Sequence, residues 1–216
     1  MEKENILNVL NDTDSFCYEF SQLCDKSKNL IFHYIKQKGE ASVIETFETY
    51  GVLQFKLTPI EQIFHIAFYL YCLNFYKING DYDYSSELGI PIHAFFMEEI
   101  FPQKKIKYLN KTYVIDFEFD LSRLRLDGSP VYPKLTHLKY AVELDGFDYH
   151  SKKDQMNKDY ERENNLKLQG YNVIRFTGSQ VFNNPYTCID TLISLILKDI
   201  QICFLEDKYG KWCKMV

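Results

Sequence analysis

Three carboxylates stand where two short strands could gather them. Asp116 lies in Thr112-Tyr-Val-Ile-Asp-Phe-Glu-Phe119, and Glu143 and Asp145 close Leu138-Lys-Tyr-Ala-Val-Glu-Leu-Asp145. Side chains alternate across a strand. The first segment therefore puts Tyr113, Ile115, Phe117 and Phe119 on one face, with Asp116 and Glu118 on the other. The second sets Leu138, Tyr140, Val142 and Leu144 against Lys139, Glu143 and Asp145. If these strands are neighbours, Asp116, Glu143 and Asp145 converge near a strand end. Carboxylates that close repel one another unless a proton or a cation intervenes, and hard oxygen donors suit Mg2+ or Mn2+. On strand pattern alone, two half-buried strands with solvated acids would read the same way.

The elements that must position these acids follow from periodicity and punctuation. Residues 1–57 read as short amphipathic helices near 14–25, 28–38 and 41–50, broken at Gly39 and Gly51. Thr58 then opens the strongest helix, running to about Tyr76. Pro59 suits its first position, Thr58-x-x-Glu61 is a capping box, and apolar residues on most faces predict burial. A short helical piece is expected near His93–Ile100. Strands are expected at 104–109 and 112–119, joined by a tight turn at Asn110-Lys111, and again at 138–145. A polar helix over 154–169 stops at Gly170, and strand 171–176 and a helix over 186–203 follow. The order from residue 58 is helix, three strands, helix, strand, a compact α/β core.

The text around the acids is more specific than the acids alone. Glu143-Leu-Asp-Gly-Phe-Asp-Tyr-His150 leads into Asp159-x-x-Arg162-x-x-x-Leu166 and then Gly170-Tyr-Asn-Val-Ile-Arg-Phe176. With Thr58-x-x-Glu61 and Val114-Ile-Asp-Phe117, this resembles the very-short-patch-repair-like branch of the PD-(D/E)XK, restriction-endonuclease-like nucleases, over about residues 58–181. The resemblance implies an α/β restriction-endonuclease-like core at 58–181, a helical N-terminal addition at 1–57, and a C-terminal helix and tail at 182–216. It implies a Mg2+- or Mn2+-dependent endonuclease hydrolysing phosphodiester bonds in repair, restriction or defence. DNA is the expected substrate, and RNA stays open. Asp116 and Glu143 match the metal-binding acids, the main-chain carbonyl of Leu144 a further ligand, and Glu61 the supporting helix acid. Asp145 stands where the superfamily usually places lysine. His150, Lys152 and Lys153 are then candidates to activate water or balance charge. Arg123, Arg125, Lys134 and Lys139, with Lys152, Lys153 and Arg162, are expected to face the nucleic acid.

Each assignment has an ordinary counterpart. Glu61 can serve as the capping acid alone, His150 as a loop histidine, and Lys152 with Lys153 as a solvated pair. Asp159 and Arg162, three apart on a helix, could form a surface ion pair worth about 0.5 kcal/mol. Arg175 is a strand residue that reaches either the cleft or solvent.

Charge divides the chain unevenly. Residues 1–100 carry 15 acids and 7 bases, a net of −8, and residues 101–216 carry 15 acids and 18 bases, a net of +3. The second half can face phosphates, whereas the first is expected to avoid nucleic acid and to pack on the core or bind a protein partner. The six cysteines form no Cys-x-x-Cys pair or zinc-like spacing, so reduced thiols in a cytoplasmic protein are expected. No secretory signal or bilayer-spanning run is read from the sequence, so no membrane partner is expected. Two rival functions remain: a nuclease fold that binds nucleic acid or protein without cutting it, and a protein-binding effector working through residues 1–57.

Overall fold

The computed structural model describes residues 14–39, 41–79, 97–121, 138–145 and 153–209. Among these, the N-terminal helices are α1 (Asp14–Ser21), α2 (Asp25–Lys38) and α3 (Ala41–Thr49), followed by the long α4 (Pro59–Asn79). The strands β1 (Ile100–Tyr108), β2 (Lys111–Asp120) and β3 (Lys139–Asp145) come next, then α5 (Lys153–Leu168) and β4 (Tyr171–Thr177). The short α6 (Gly178–Asn183) and long α7 (Pro185–Tyr209) complete the order. One sheet holds all four strands in the order β1-β2-β3-β4. β1, β2 and β3 pair antiparallel, while β3 and β4 are parallel. A parallel pair needs a long crossover, and α5 lies within it. This mixed α/β arrangement fits the restriction-endonuclease-like core expected from residue 58 onward.

The sheet has a helical layer on each face. On one side α4 buries Ile63, Phe64, Ala67 and Phe68, as its apolar faces require, and Phe64 and Phe68 meet Phe117 and Phe119 of β2 ring to ring. The same cluster takes in Phe20, Ile31 and Phe47 from the N-terminal helices, Leu57 from the connection that follows them, and Ile189, Leu192 and Ile196 from α7. Packing therefore runs through residue 57 without a gap. On the other side, Leu166 of the polar helix α5 meets Ile106, Ile115, Ala141 and Tyr171 in a smaller cluster. A helix with so few apolar residues can cover only a narrow strip of sheet.

Several boundaries differ from the sequence expectation. β1 begins at Ile100, four residues before the expected 104, because it is an edge strand and an edge tolerates Pro102. The helical piece expected near 93–100 falls mostly outside the described residues, and Ile100 is already strand. The hairpin turn is Leu109-Asn110, one residue earlier than expected, with Leu109 at φ +51° and its side chain 86% exposed. Exposure removes any packing demand on a leucine held in a region that suits asparagine or glycine better. Cys24, Cys72 and Cys188 are free thiols. Among the described residues no helix is long and apolar enough to cross a membrane.

Candidate active site

Asp116 sits at a break in the sheet. The β1–β2 ladder pairs Pro102 with Phe117 and Lys104 with Ile115, but Gln103, which stands opposite Asp116, drops out of it at φ +53°. The side-chain alternation slips at the same place. Ile115 packs in the α5-side cluster, whereas Phe117 and Phe119 pack in the α4-side core. Tyr113 follows Ile115, its hydroxyl accepting a bond of 2.7 Å from Asn165 Nδ2 of α5. The expectation that Tyr113, Ile115, Phe117 and Phe119 share one face therefore fails. A local kink at Asp116 turns the strand by one position, and regular alternation cannot foresee it.

The kink aims Asp116 at the end of β3. Its Oδ2 accepts a 2.6 Å hydrogen bond from the Leu144 main-chain N–H. Continuing the Phe117–Val142 register by one position sets Asp116 against Glu143. Glu143 is 3% exposed, and its Oε1 accepts a 2.8 Å bond from Arg162 Nη2 of α5, which also donates to the Val114 carbonyl. Arg175 of β4 lies beside Glu143 in the parallel ladder, with Nη1 3.5 Å from Asp145 Oδ1 and Nε 3.6 Å from Glu163 Oε2. A half-buried acid in the middle of β2 thus faces a buried one near the end of β3, with a third beside them and two guanidinium groups facing the set.

Electrostatics marks the two central acids. Burial lifts the Asp116 carboxyl to about 6; the Leu144 N–H and Arg162 oppose the rise, while Glu61 and Asp145 add to it. Burial pushes Glu143 further, to about 8, and there Arg162 and Arg175 work against the shift while Asp116 and Asp145 reinforce it. Carboxylates held this far above their ordinary range, by desolvation and by one another, mark a functional site or an ion-binding one.

The remaining sequence candidates divide. Glu61 acts as the capping acid, its Oε2 accepting from the Thr58 N–H at 2.8 Å, and it lies near enough for its charge to act on Asp116. Arg162 turns to Glu143 rather than to Asp159, so it neutralises an acid of the site. Lys139 lies four residues from Glu143, about 13 Å along the strand, and sits 3.6 Å from Asp120. The structure does not bring it to the acids. Lys153 is the first residue of α5, and its side chain lies outside the description. Arg123, Arg125, Lys134, His150 and Lys152 lie outside the described residues. His65 is buried in α4, its ring against Phe117, and burial lowers its pKa to about 3. It is a neutral packing group under the site.

The donor set suits a hard cation in a limited way. Among the described residues no three His, Cys, Asp or Glu side chains are gathered into an ion-binding group as they stand. Mg2+, however, commonly uses one or two carboxylates and takes its other ligands from water and substrate phosphate. Asp116 and Glu143 could supply that minimum, and a divalent ion beside them would offset the desolvation that burial imposes on their charged forms.

A strand carrying an acid, a second strand carrying another, and a parallel fourth strand behind a crossover helix are consistent with a restriction-endonuclease-like core. Residues 102–196 match the model of the family REase_MTES_1575, which is restriction-endonuclease-like. The match spans β1 to the middle of α7, somewhat less than half of the chain, and supports the wider PD-(D/E)XK superfamily rather than the narrower very-short-patch-repair-like branch. No curated protein and no solved structure matches the chain.

Proposed function

We propose that the chain is a divalent-metal-dependent endonuclease that hydrolyses phosphodiester bonds in DNA, in a repair, restriction or defence setting. The observation that carries this reading is the juxtaposition of half-buried Asp116 with buried Glu143 on adjoining strands, Asp116 bonded to the Leu144 N–H and both acids with raised pKa values. Asp116, Glu143 and the Leu144 main-chain carbonyl would hold Mg2+ or Mn2+. When bound, such an ion polarises the phosphate and lowers the pKa of its water. Glu61 holds negative charge beside Asp116 and fixes the start of α4. Asp145 replaces the usual lysine, so positive charge for the transition state must come from elsewhere. Arg162 and Arg175 already face the acids, and they fill that need together with His150, Lys152 or Lys153. His150, with an unperturbed pKa of about 6.5, suits proton transfer near neutrality. Arg123, Arg125, Lys134, Lys152 and Lys153 are assigned to the substrate backbone. The acid at 145 and the run from Glu143 to His150 favour the very-short-patch-repair-like pattern within the superfamily.

The competing reading is a nuclease fold that binds without cutting, and the Arg162–Glu143 pair favours it, because a guanidinium already occupies one proposed ligand. The purified chain separates the two. We expect it to cleave single- or double-stranded DNA in Mg2+ or Mn2+ and to stop in EDTA, with RNA as the comparison substrate. Binding without cleavage in every metal would select the second reading. Asp145→Ala and His150→Ala are expected to slow cleavage sharply, with Lys152→Ala costing less.

A further inference from the structure

Beside Gln103 lies a cleft of about 720 Å3 between β1 and the connection from α3 to α4. Tyr50, Phe55, Phe101, Gln103, Lys104 and Lys105 line it, with Glu98 the one acid among its lining residues. Phe55 is 43% exposed. Its ring stands edge-on to His65, which in turn packs on Phe117, the neighbour of Asp116. Lys104 sits 5.4 Å from the Phe101 ring centre and is already paired at 2.8 Å with the buried carboxylate of Glu118, which leaves Lys105 as the other cation at the rim. Gln103 holds a backbone conformation that non-glycine residues seldom adopt, and strain of that kind collects at binding sites.

Resting on the nuclease reading, we infer that this cleft receives an unpaired base of a DNA strand whose neighbouring phosphate lies at Asp116. Aromatic walls offer a face on which any base stacks, and Lys105 at the rim is placed to meet the backbone beside it. A paired base stays inside the duplex stack and cannot enter a recess of this kind. The cleft has the size of a small-molecule pocket, and Gln103, which lines it, stands opposite Asp116 in the β1–β2 ladder. The inference revises the charge-based expectation for residues 1–57. Tyr50 and Phe55 come from that acidic stretch, but the cations at the cleft come from β1.

The test is fluorescence anisotropy in Ca2+ with labelled oligo-dT and with a duplex of equal length, beside cleavage in Mg2+. Phe55→Leu keeps apolar bulk and removes the π-face, so it is expected to weaken single-strand binding about fivefold or more. Phe55→Trp is expected to preserve that binding, and duplex binding is expected to stay unchanged in both variants. Equal oligo-dT affinity in wild type and Phe55→Leu, with cleavage intact, would overturn the cleft assignment and leave the nuclease reading standing. A wild type that neither binds nor cleaves DNA would overturn both.

Discussion

Glu143→Gln and Asp116→Asn are expected to lose cleavage by about a hundredfold or more and yet to melt no lower than the wild type at pH 8 in EDTA. Each amide keeps the shape and one acceptor, so the bonds from Arg162 and from the Leu144 N–H have a partner. Each also removes a carboxyl that folding makes harder to ionise. Glu143 titrates at about 8 in the folded chain against an ordinary 4.5. Below 4.5 it is protonated in both states. Between 4.5 and about 8 the unfolded chain gives up a proton that the folded chain keeps, so stability falls as pH rises through this window. Asp116 adds the same sign between 3.8 and about 6. The advantage of the amide variants in melting temperature should therefore grow from pH 5 to pH 8. Activity lost together with stability at pH 8 would mean that the carboxyls are structural. Loss of activity with stability kept or gained is the signature of a site held for function.

The second large effect is on ion binding. Metal ligands must be deprotonated, so an ion taken up by Asp116 and Glu143 displaces protons. Calorimetry with Mn2+ is expected to show affinity rising up to about tenfold per pH unit from pH 6 toward 8, the range in which Glu143 is still largely protonated. The observed heat should change with the ionisation enthalpy of the buffer, which reports proton release. Affinity independent of pH, with no buffer dependence, would place the ion elsewhere. Asp116→Asn should bind Mn2+ much more weakly at every pH.

Much of this was readable from local rules. Thr58, Pro59 and Glu61 specify where α4 begins, and the Glu61 carboxylate does reach the Thr58 N–H. The apolar faces of α4 predict its burial, and Gly170 ends α5 at φ +84° as expected. The pairing of Asp116 with Glu143 was legible as well, because each lies at a fixed place on a short, strongly patterned strand. Period-two alternation does not contain the slip at Asp116. That slip depends on Gln103 across the ladder, and nothing in the type of residue 103 announces a positive φ. The Arg162–Glu143 pair was hidden for a similar reason. On a helical wheel Asp159 is the obvious partner, and Glu143 competes only once α5 lies across the sheet. The aromatic cleft joins residues about 50 positions apart, and neither segment carries a motif.

The most direct measurement is single-turnover cleavage of DNA by the wild type and by Asp116→Asn, each in Mg2+ and in EDTA, with circular dichroism confirming that both are folded. The account predicts cleavage by the wild type in Mg2+ alone, and cleavage slowed by about a hundredfold or more in the variant even with Mg2+. Cleavage by Asp116→Asn at the wild-type rate, or full wild-type activity in EDTA, would contradict it.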